Sequence, residues 1–267
     1  MTWPEVEEIL KQDPFVLIPV GTTEGHGPHL PLGTDSFIAY EIAKGAAQKA
    51  IEMGVKTIVA PPVLVGYSME NMSFPGSISL SGETVGNVVL DVCRSLIRHG
   101  FKNIIIVNGH GGHVSVLDVV SRKIRDETDG KIIIAMAMPQ QLVTDVIERL
   151  MENNDGHAGE SETSLIMAFR PELVRKEKMM PLQRKDVPIV TKIEPIVSKE
   201  EAEERTRYNV TIPMPFLATL ADGTGITGDP TKATPEKGKK IAEAAITRLA
   251  AYMEEVKKKK KIFGLEL

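Results

Sequence analysis

Apolar positions along the chain fall into two alternating kinds of run. Phe15 to Val20, F-V-L-I-P-V, is continuously apolar and rich in β-branched residues, the pattern of a strand buried on both faces. From Ser36 to Gly54 the apolar residues Phe37, Ile38, Ile42, Ala43, Ala46, Ala47 and Ala50 recur at helical spacing, and Thr34 or Asp35 is expected to cap the start. Thr57 to Ala60 predicts a second strand, Thr84 to His99 an amphipathic helix stopped by Gly100, and Asn103 to Val107 a third strand. A helix over Val114 to Asp126 and a strand over Lys131 to Met136 complete a further β-α-β step. Helices are also expected over Gln140 to Asn153, from near Ala158, and over Pro235 to Val256. Strand, glycine-rich turn and helix in repetition predict an α/β fold with a mostly parallel, helix-covered sheet and right-handed crossovers.

The interruptions between these runs hold the chemistry. Val20 to Asp35 reads V-G-T-T-E-G-H-G-P-H-L-P-L-G-T-D, so Glu24 and His26 emerge just past the end of the first strand, where open α/β sheets bind ligands. Asp35 is then a ligand, a helix cap, or both. Asn108 to His113 and Asp155 to Ser164 are two further glycine-containing turns, and Gly66 to Ser79 is a loop long enough to be functional or mobile. Five of the six histidines (26, 29, 110, 113, 157) lie in the three turns, accompanied by Glu24, Asp35, Glu160 and Glu162. Imidazole and carboxylate without cysteine suit zinc, manganese or ferrous iron. Several such groups can hold two ions sharing one carboxylate, an arrangement used for hydrolysis, with a histidine beside the metal as proton shuttle. No phosphate-binding G-x-x-x-x-G-K-S/T loop occurs.

Composition narrows the field further. With 267 residues, 42% hydrophobic and 25% charged, the chain is expected to form one domain, with a charged surface excursion about residues 170–209. A net charge of −4 carries no footprint for nucleic acid, and no apolar run approaches the roughly 20 residues that span a bilayer. The opening M-T-W-P-E-V-E-E has neither a basic nor an apolar leader region, which points to the cytoplasm. Cys93, the lone cysteine, reads as a small buried apolar residue, and Lys257 to Lys261 as a solvated basic end.

At its ligand-rich turns the chain resembles the creatininase family of creatinine amidohydrolase-like metallohydrolases. The resemblance rests on Gly21-Thr22-Thr23-Glu24-Gly25-His26-Gly27-Pro28-His29-Leu30-Pro31-Leu32-Gly33-Thr34-Asp35, on Asn108-Gly109-His110-Gly111-Gly112 and on His157-Ala158-Gly159-Glu160-Ser161-Glu162-Thr163-Ser164, with Phe74-Pro75-Gly76-Ser77 and Gly228-Asp229-Pro230 in support. It implies a three-layer α/β/α sandwich, homo-oligomers that are often hexamers, and one or two divalent ions at the strand ends. Position by position it makes Glu24, His26, Asp35, His110 and Glu162 metal ligands, with Asp35 bridging, and His157 the proton-transfer residue. Glu160 is expected to orient His157, and the apolar stretch Val210 to Leu220 to lie at a subunit contact. Gly111 and Gly112 stand where creatininases proper carry an aromatic residue and a carboxylate, Trp3 is the only tryptophan, and Asn71 and His113 stand where relatives often have His and Asn. Creatinine is therefore not the expected substrate. The implied activity is attack of metal-bound hydroxide on a carbonyl of a small polar, cyclic substrate, cleaving an amide or formamide C–N bond. The alternatives are C–C hydrolysis of a cyclic diketone derived from inositol or a sugar, and a catalytically inactive metal-binding assembly protein.

Overall fold

The computed structural model describes residues 1–153, 155–182 and 223–262. Its elements in order are α1 (Trp3–Leu10), β1 (Phe15–Val20), α2 (Thr34–Glu52), β2 (Thr57–Val59), α3 (Gly82–Arg98), β3 (Asn103–Asn108), α4 (Val114–Glu127), β4 (Ile133–Ala137), α5 (Pro139–Leu142), α6 (Thr144–Leu150), α7 (Glu160–Phe169) and α8 (Pro235–Ile262). The strands form one parallel sheet in the order β2-β1-β3-β4.

Side chains alternate across a strand, and here both faces are apolar. Phe15 and Leu17 of β1, with Ile105 and Val107 of β3, point into a core shared with Ile38, Ile42 and Ala46 of α2, Leu165 and Ile166 of α7, and Leu249 and Met253 of α8. Val16, Ile18 and Val20, with Ile104 and Ile106, point the other way into a core with Val89, Leu90 and Cys93 of α3 and Leu117, Val120 and Ile124 of α4. The register pairs Leu17 with Ile105 and Ile18 with Ile106, which keeps each face continuous across the two central strands. Each such side chain contributes roughly 1.5–3 kcal/mol on burial, so β1 and β3, buried at every position, fix the three-layer order more firmly than the short β2. Cys93 is buried, as expected, and burial pushes its thiol up to about 12.

The long helix α8 closes one layer by packing on α7 and α2. Close approach is possible because position 238 is glycine: a Cβ there would fall 1.8 Å from the Ser164 carbonyl oxygen. That contact ties the helix carrying Glu162 to the closing helix.

Several expectations shift. The cap position of α2 is Gly33, with no side-chain cap; the Thr34 hydroxyl donates to the Pro31 carbonyl at 2.7 Å instead. Asp35 is therefore not a cap. It lies in the first helical turn, where a negative charge is still favoured by the helix dipole, and its carboxylate turns inward. The single helix expected over Gln140 to Asn153 is two short ones, α5 and α6, broken at Val143, whose backbone is extended in φ (−132°) and whose side chain is buried in the core. α8 runs past Val256 to Ile262, and α1 was not announced by apolar spacing. Of the excursion about 170–209, the described part, to Leu182, contains two short 3-10 turns; the rest, and Val210 to Leu220, lie outside the described residues. No helix among the described residues is long and apolar enough to cross a membrane.

Candidate metal centre

The turns that follow β1 and β3 and the one that opens α7 meet at the carboxyl edge of the sheet. After β1 the chain folds back on itself, with the Glu24 amide donating to the Leu32 carbonyl at 2.9 Å and the Gly25 amide to Ser77 Oγ at 2.9 Å. This aims Glu24 and His26 inward, opposite Asp35 at the start of α2. After β3 the Asn108 side chain brackets its own turn: Oδ1 accepts from the His110 amide at 3.1 Å and Nδ2 donates to the His110 carbonyl at 2.8 Å. Before α7, Ala158 has a positive φ of 53°, a strained setting for a residue with a Cβ, and its amide donates to Glu162 Oε2 at 2.7 Å.

Asp35 is the centre of the cluster. Its Oδ1 lies 3.1 Å from His26 Nε2, its Oδ2 lies 3.1 Å from His110 Nδ1, and the Thr22 hydroxyl donates to Oδ2. Glu24 Oε1 is 3.3 Å from His110 Nδ1 and 3.7 Å from His157 Nδ1, while Glu162 Oε2 is 3.8 Å from His26 Nε2. Two sets of three donors, Glu24/Asp35/His110 and His26/Asp35/Glu162, each have ligand atoms within 4.8 Å of one another and share Asp35; Glu24/His26/His157 form a third. Metal–ligand bonds of about 2.0–2.2 Å place donors of one ion within about 4.4 Å of each other, so small rotations suffice. The five residues expected as ligands are thus brought together from positions 24 to 162.

Electrostatics favour a cation here. Three carboxylates sit in a pocket where Glu24 and Asp35 are buried, and neither oxygen of Glu24 has a hydrogen-bond partner. A buried, undonated carboxylate is costly unless a positive charge faces it. Burial and Asp35 push the Glu24 carboxyl up, but His110 and His26 outweigh them and hold it below its usual range. Burial pulls His26 down, yet Asp35, Glu162 and Glu24 raise it to about 10. Glu162 is raised to about 7, chiefly by burial, and His157 is lowered to about 4 by burial and by the neighbouring His26, whose ring centroid is 4.2 Å away. The carboxylates likewise raise His110 against its burial, so the cluster draws positive charge onto both imidazoles, charge that a divalent ion would supply instead, and the oxygen and nitrogen donors suit such ions. The residues present fit a divalent metal.

Glu160, expected to orient His157, faces elsewhere. It is fully buried, with Oε1 2.5 Å from Lys237 Nζ and Oε2 accepting from the Glu152 and Asn153 amides at 3.0 and 2.9 Å. The reason is helical geometry: residues two apart on α7 are separated by roughly 200° around the axis, so Glu160 and Glu162 cannot share a side. Glu160 fastens α7 to α8 and to the chain leaving α6. His29 and His113 are also structural. His29 Nε2 meets Thr163 Oγ1 at 2.9 Å, and His113 Nε2 accepts from the Tyr67 amide at 3.0 Å.

A cleft of about 670 Å³ opens above the cluster, lined by Asp35, His110, His157 and Glu162 together with Tyr67, Glu70, Asn71, Ser115 and Gln140. Glu70 and Gln140 were not anticipated. Only the length of the Gly66 to Ser79 loop signalled that residues such as Glu70 belong to a site.

The creatinine amidohydrolase family model matches residues 1–253. Over 229 residues the chain is 31% identical to the mycofactocin precursor peptide peptidase of Mycolicibacterium smegmatis, covering 85% of this chain and 79% of that protein. Over 182 residues it is 30% identical to the 3-dehydro-scyllo-inosose hydrolase of Thermotoga maritima, covering 66% of this chain and 57% of that protein. A solved structure described as creatininase Mn superposes with a TM-score of 0.76 at 25% identity, covering 96% of both chains. The parallel sheet, the donor cluster at its carboxyl edge and a match running almost from end to end lead to one assignment: the chain belongs to the creatininase family of hydrolases.

Proposed function

We propose that this hydrolase binds one or two divalent ions and cleaves an amide or formamide C–N bond in a small, polar substrate, cyclic in the simplest case. The observation behind this reading is the pair of three-donor sets that share Asp35 beneath the cleft. Glu24, Asp35 and His110 would hold one ion, and His26, Asp35 and Glu162 the other. Ions so held supply Lewis acidity toward a carbonyl oxygen and lower the pKa of water to about 7. Zinc, manganese and ferrous iron all suit these donors.

The protein's own part is proton handling and positioning. His157 donates from Nε2 to the Gly25 carbonyl at 2.8 Å, which leaves Nδ1 free to take a proton on the side facing Glu24. That is the atom we assign to proton transfer toward the leaving nitrogen. Among the described residues lining the cleft, Asn71, Ser115 and Gln140 offer neutral hydrogen bonds and none is a lysine or arginine.

Those same neutral groups support a second reading. Both amide atoms of Asn71 and Oε1 of Gln140 are buried without a partner, and a hydroxylated ring would satisfy them as an amide would. C–C hydrolysis of a cyclic ketone derived from inositol or a sugar follows from that chemistry. A panel of cyclic amides, formamides, short peptides and ring ketones, assayed on protein reconstituted separately with zinc, manganese and ferrous iron, decides between them. Release of amine or formate supports C–N cleavage, an opened carbon chain supports C–C cleavage, and no turnover of any class with any metal defeats both.

Assembly into a homo-oligomer belongs to the same proposal. Leu32, Leu64, Met69, Met72 and Ile78 are exposed apolar residues, with Leu32 against Gly76 and with Leu64 and Ile78 on either side of Thr23. Light scattering that finds only monomer at micromolar concentration removes this part.

A further inference from the structure

One more carboxylate reaches the cluster, from an element that supplies none of the five metal-type donors. Glu70 lies in the 3-10 turn Met69–Asn71, within the loop between β2 and α3. Its Oε1 is 3.4 Å from His110 Nε2, the ring nitrogen on the far side from Asp35 and Glu24. Nε2 is buried and makes no hydrogen bond, so Glu70 faces it at ion-pair distance. His110 therefore stands between two carboxylate environments, one at each nitrogen.

The approach depends on a missing side chain. A Cβ on Gly112 would lie 2.5 Å from His110 Nε2 and 3.2 Å from Glu70 Oε1, so any other residue at 112 would wedge between the two. The loop bearing Glu70 is also held independently of it. The Tyr67 amide donates to His113 Nε2 at 3.0 Å, the Ser68 amide to Ser79 Oγ at 2.9 Å, and the Leu80 amide to the Gly66 carbonyl at 2.8 Å. Glu70 is thus presented to His110 by a framework it does not itself maintain.

The two imidazoles of the cluster are held differently. His26 offers Nε2 to the cluster and donates Nδ1–H to the neutral Glu24 carbonyl at 3.2 Å. His110 offers Nδ1 and turns Nε2 toward the Glu70 side-chain carboxyl. An imidazole that ligates a metal through one nitrogen usually donates its other N–H to an oxygen, which fixes the tautomer and strengthens the ligand.

We propose that Glu70 is the positioning carboxylate of His110. It accepts the Nε2 proton, keeps the Nδ1 lone pair aimed at Asp35 and Glu24, and sets the affinity of the cation position built from Glu24, Asp35 and His110. The position built from His26, Asp35 and Glu162 does not depend on it. The assignment rests on the metal-dependent reading of the site.

The test is stepwise binding of zinc and of manganese to the metal-free full chain by isothermal titration, comparing wild type with Glu70→Gln, Glu70→Asp and Asp35→Asn. In Glu70→Gln one binding step weakens 10–100-fold, the usual effect of removing such a partner, while any second step stays within about twofold. Glu70→Asp, which keeps the carboxylate, recovers part of the loss, and the thermal midpoint of the metal-free protein is the same in wild type, Glu70→Gln and Glu70→Asp. Glu70→Gln binding with wild-type affinity, or weakened equally at two steps, overturns the assignment while leaving the metal reading intact. Wild type that binds neither ion, indistinguishable from Asp35→Asn, overturns the metal reading and this assignment with it.

Discussion

His157 Nε2 and the Gly25 carbonyl oxygen lie 2.8 Å apart, joining the turn before α7 to the turn after β1. A carbonyl only accepts, so the proton is on Nε2 and the Nδ1 lone pair faces Glu24 Oε1 at 3.7 Å. Burial and the adjacent His26 hold this imidazole at about 4, hence neutral near pH 7 with the Nδ1 lone pair unprotonated. His157→Ala is expected to lower kcat by about 10²–10⁴-fold while metal content, measured by plasma mass spectrometry, stays near wild type. Metal lost together with activity would instead make His157 a ligand, in the Glu24/His26/His157 grouping.

Asp35 belongs to both donor sets that surround it, whereas Glu24 and Glu162 divide between them. Asp35→Ala is therefore expected to lose the most metal of any single substitution, and Glu162→Ala to spare the ion held with Glu24 and His110. Equal metal content in the Asp35→Ala and Glu162→Ala proteins argues against a shared ligand.

In the metal-free protein His26 is raised from 6.5 to about 10, its burial outweighed by Asp35 and the other carboxylates. A raised imidazole contributes stability that is fully present below its unfolded value and is lost as pH climbs through the folded one. The metal-free chain should accordingly lose thermal stability between pH 6.5 and about 10. Glu162, raised to about 7, acts in the same direction between pH 4.5 and 7. Metal ligation requires neutral imidazole, so loading at pH 8 should release protons, visible as a dependence of titration enthalpy on buffer ionisation. A stability profile that rises over that alkaline window contradicts the charged state assigned to His26.

Glu160 couples α7 to Lys237 of α8 and accepts two amides from the chain leaving α6. Glu160→Gln leaves these donors only partly satisfied and is expected to destabilise by about 1–3 kcal/mol, read as a lowered denaturation midpoint. The pH profile of the surviving activity should be unchanged. A shifted profile with unchanged stability would return Glu160 to a role at His157.

Much of the framework is local and hence legible in one dimension. Phe15 to Val20 and Ile104 to Val107 are short, rich in β-branched residues and apolar at successive positions, the pattern of a strand covered on both faces and paired in parallel under two helical layers. The glycine-rich turns after β1 and β3 and before α7 are equally local, and together with the first turns of α2 and α7 they contain every residue expected as a ligand. Orientation is another matter, because it depends on which surfaces approach one another across the fold. Asp35 reads equally as cap or ligand until α2 is set against β1 and β3. Glu160 and Glu162 look like partners until the turn of α7 and the approach of α8 send one to Lys237 and the other to His26. His29 and His113 share the same turns as His26 and His110 but are drawn into hydrogen bonds that brace the loops. Glu70 lies 40 positions from His110, and only the docking of its loop over Gly112 brings the two into contact, a long-range packing event that no periodicity in either segment records.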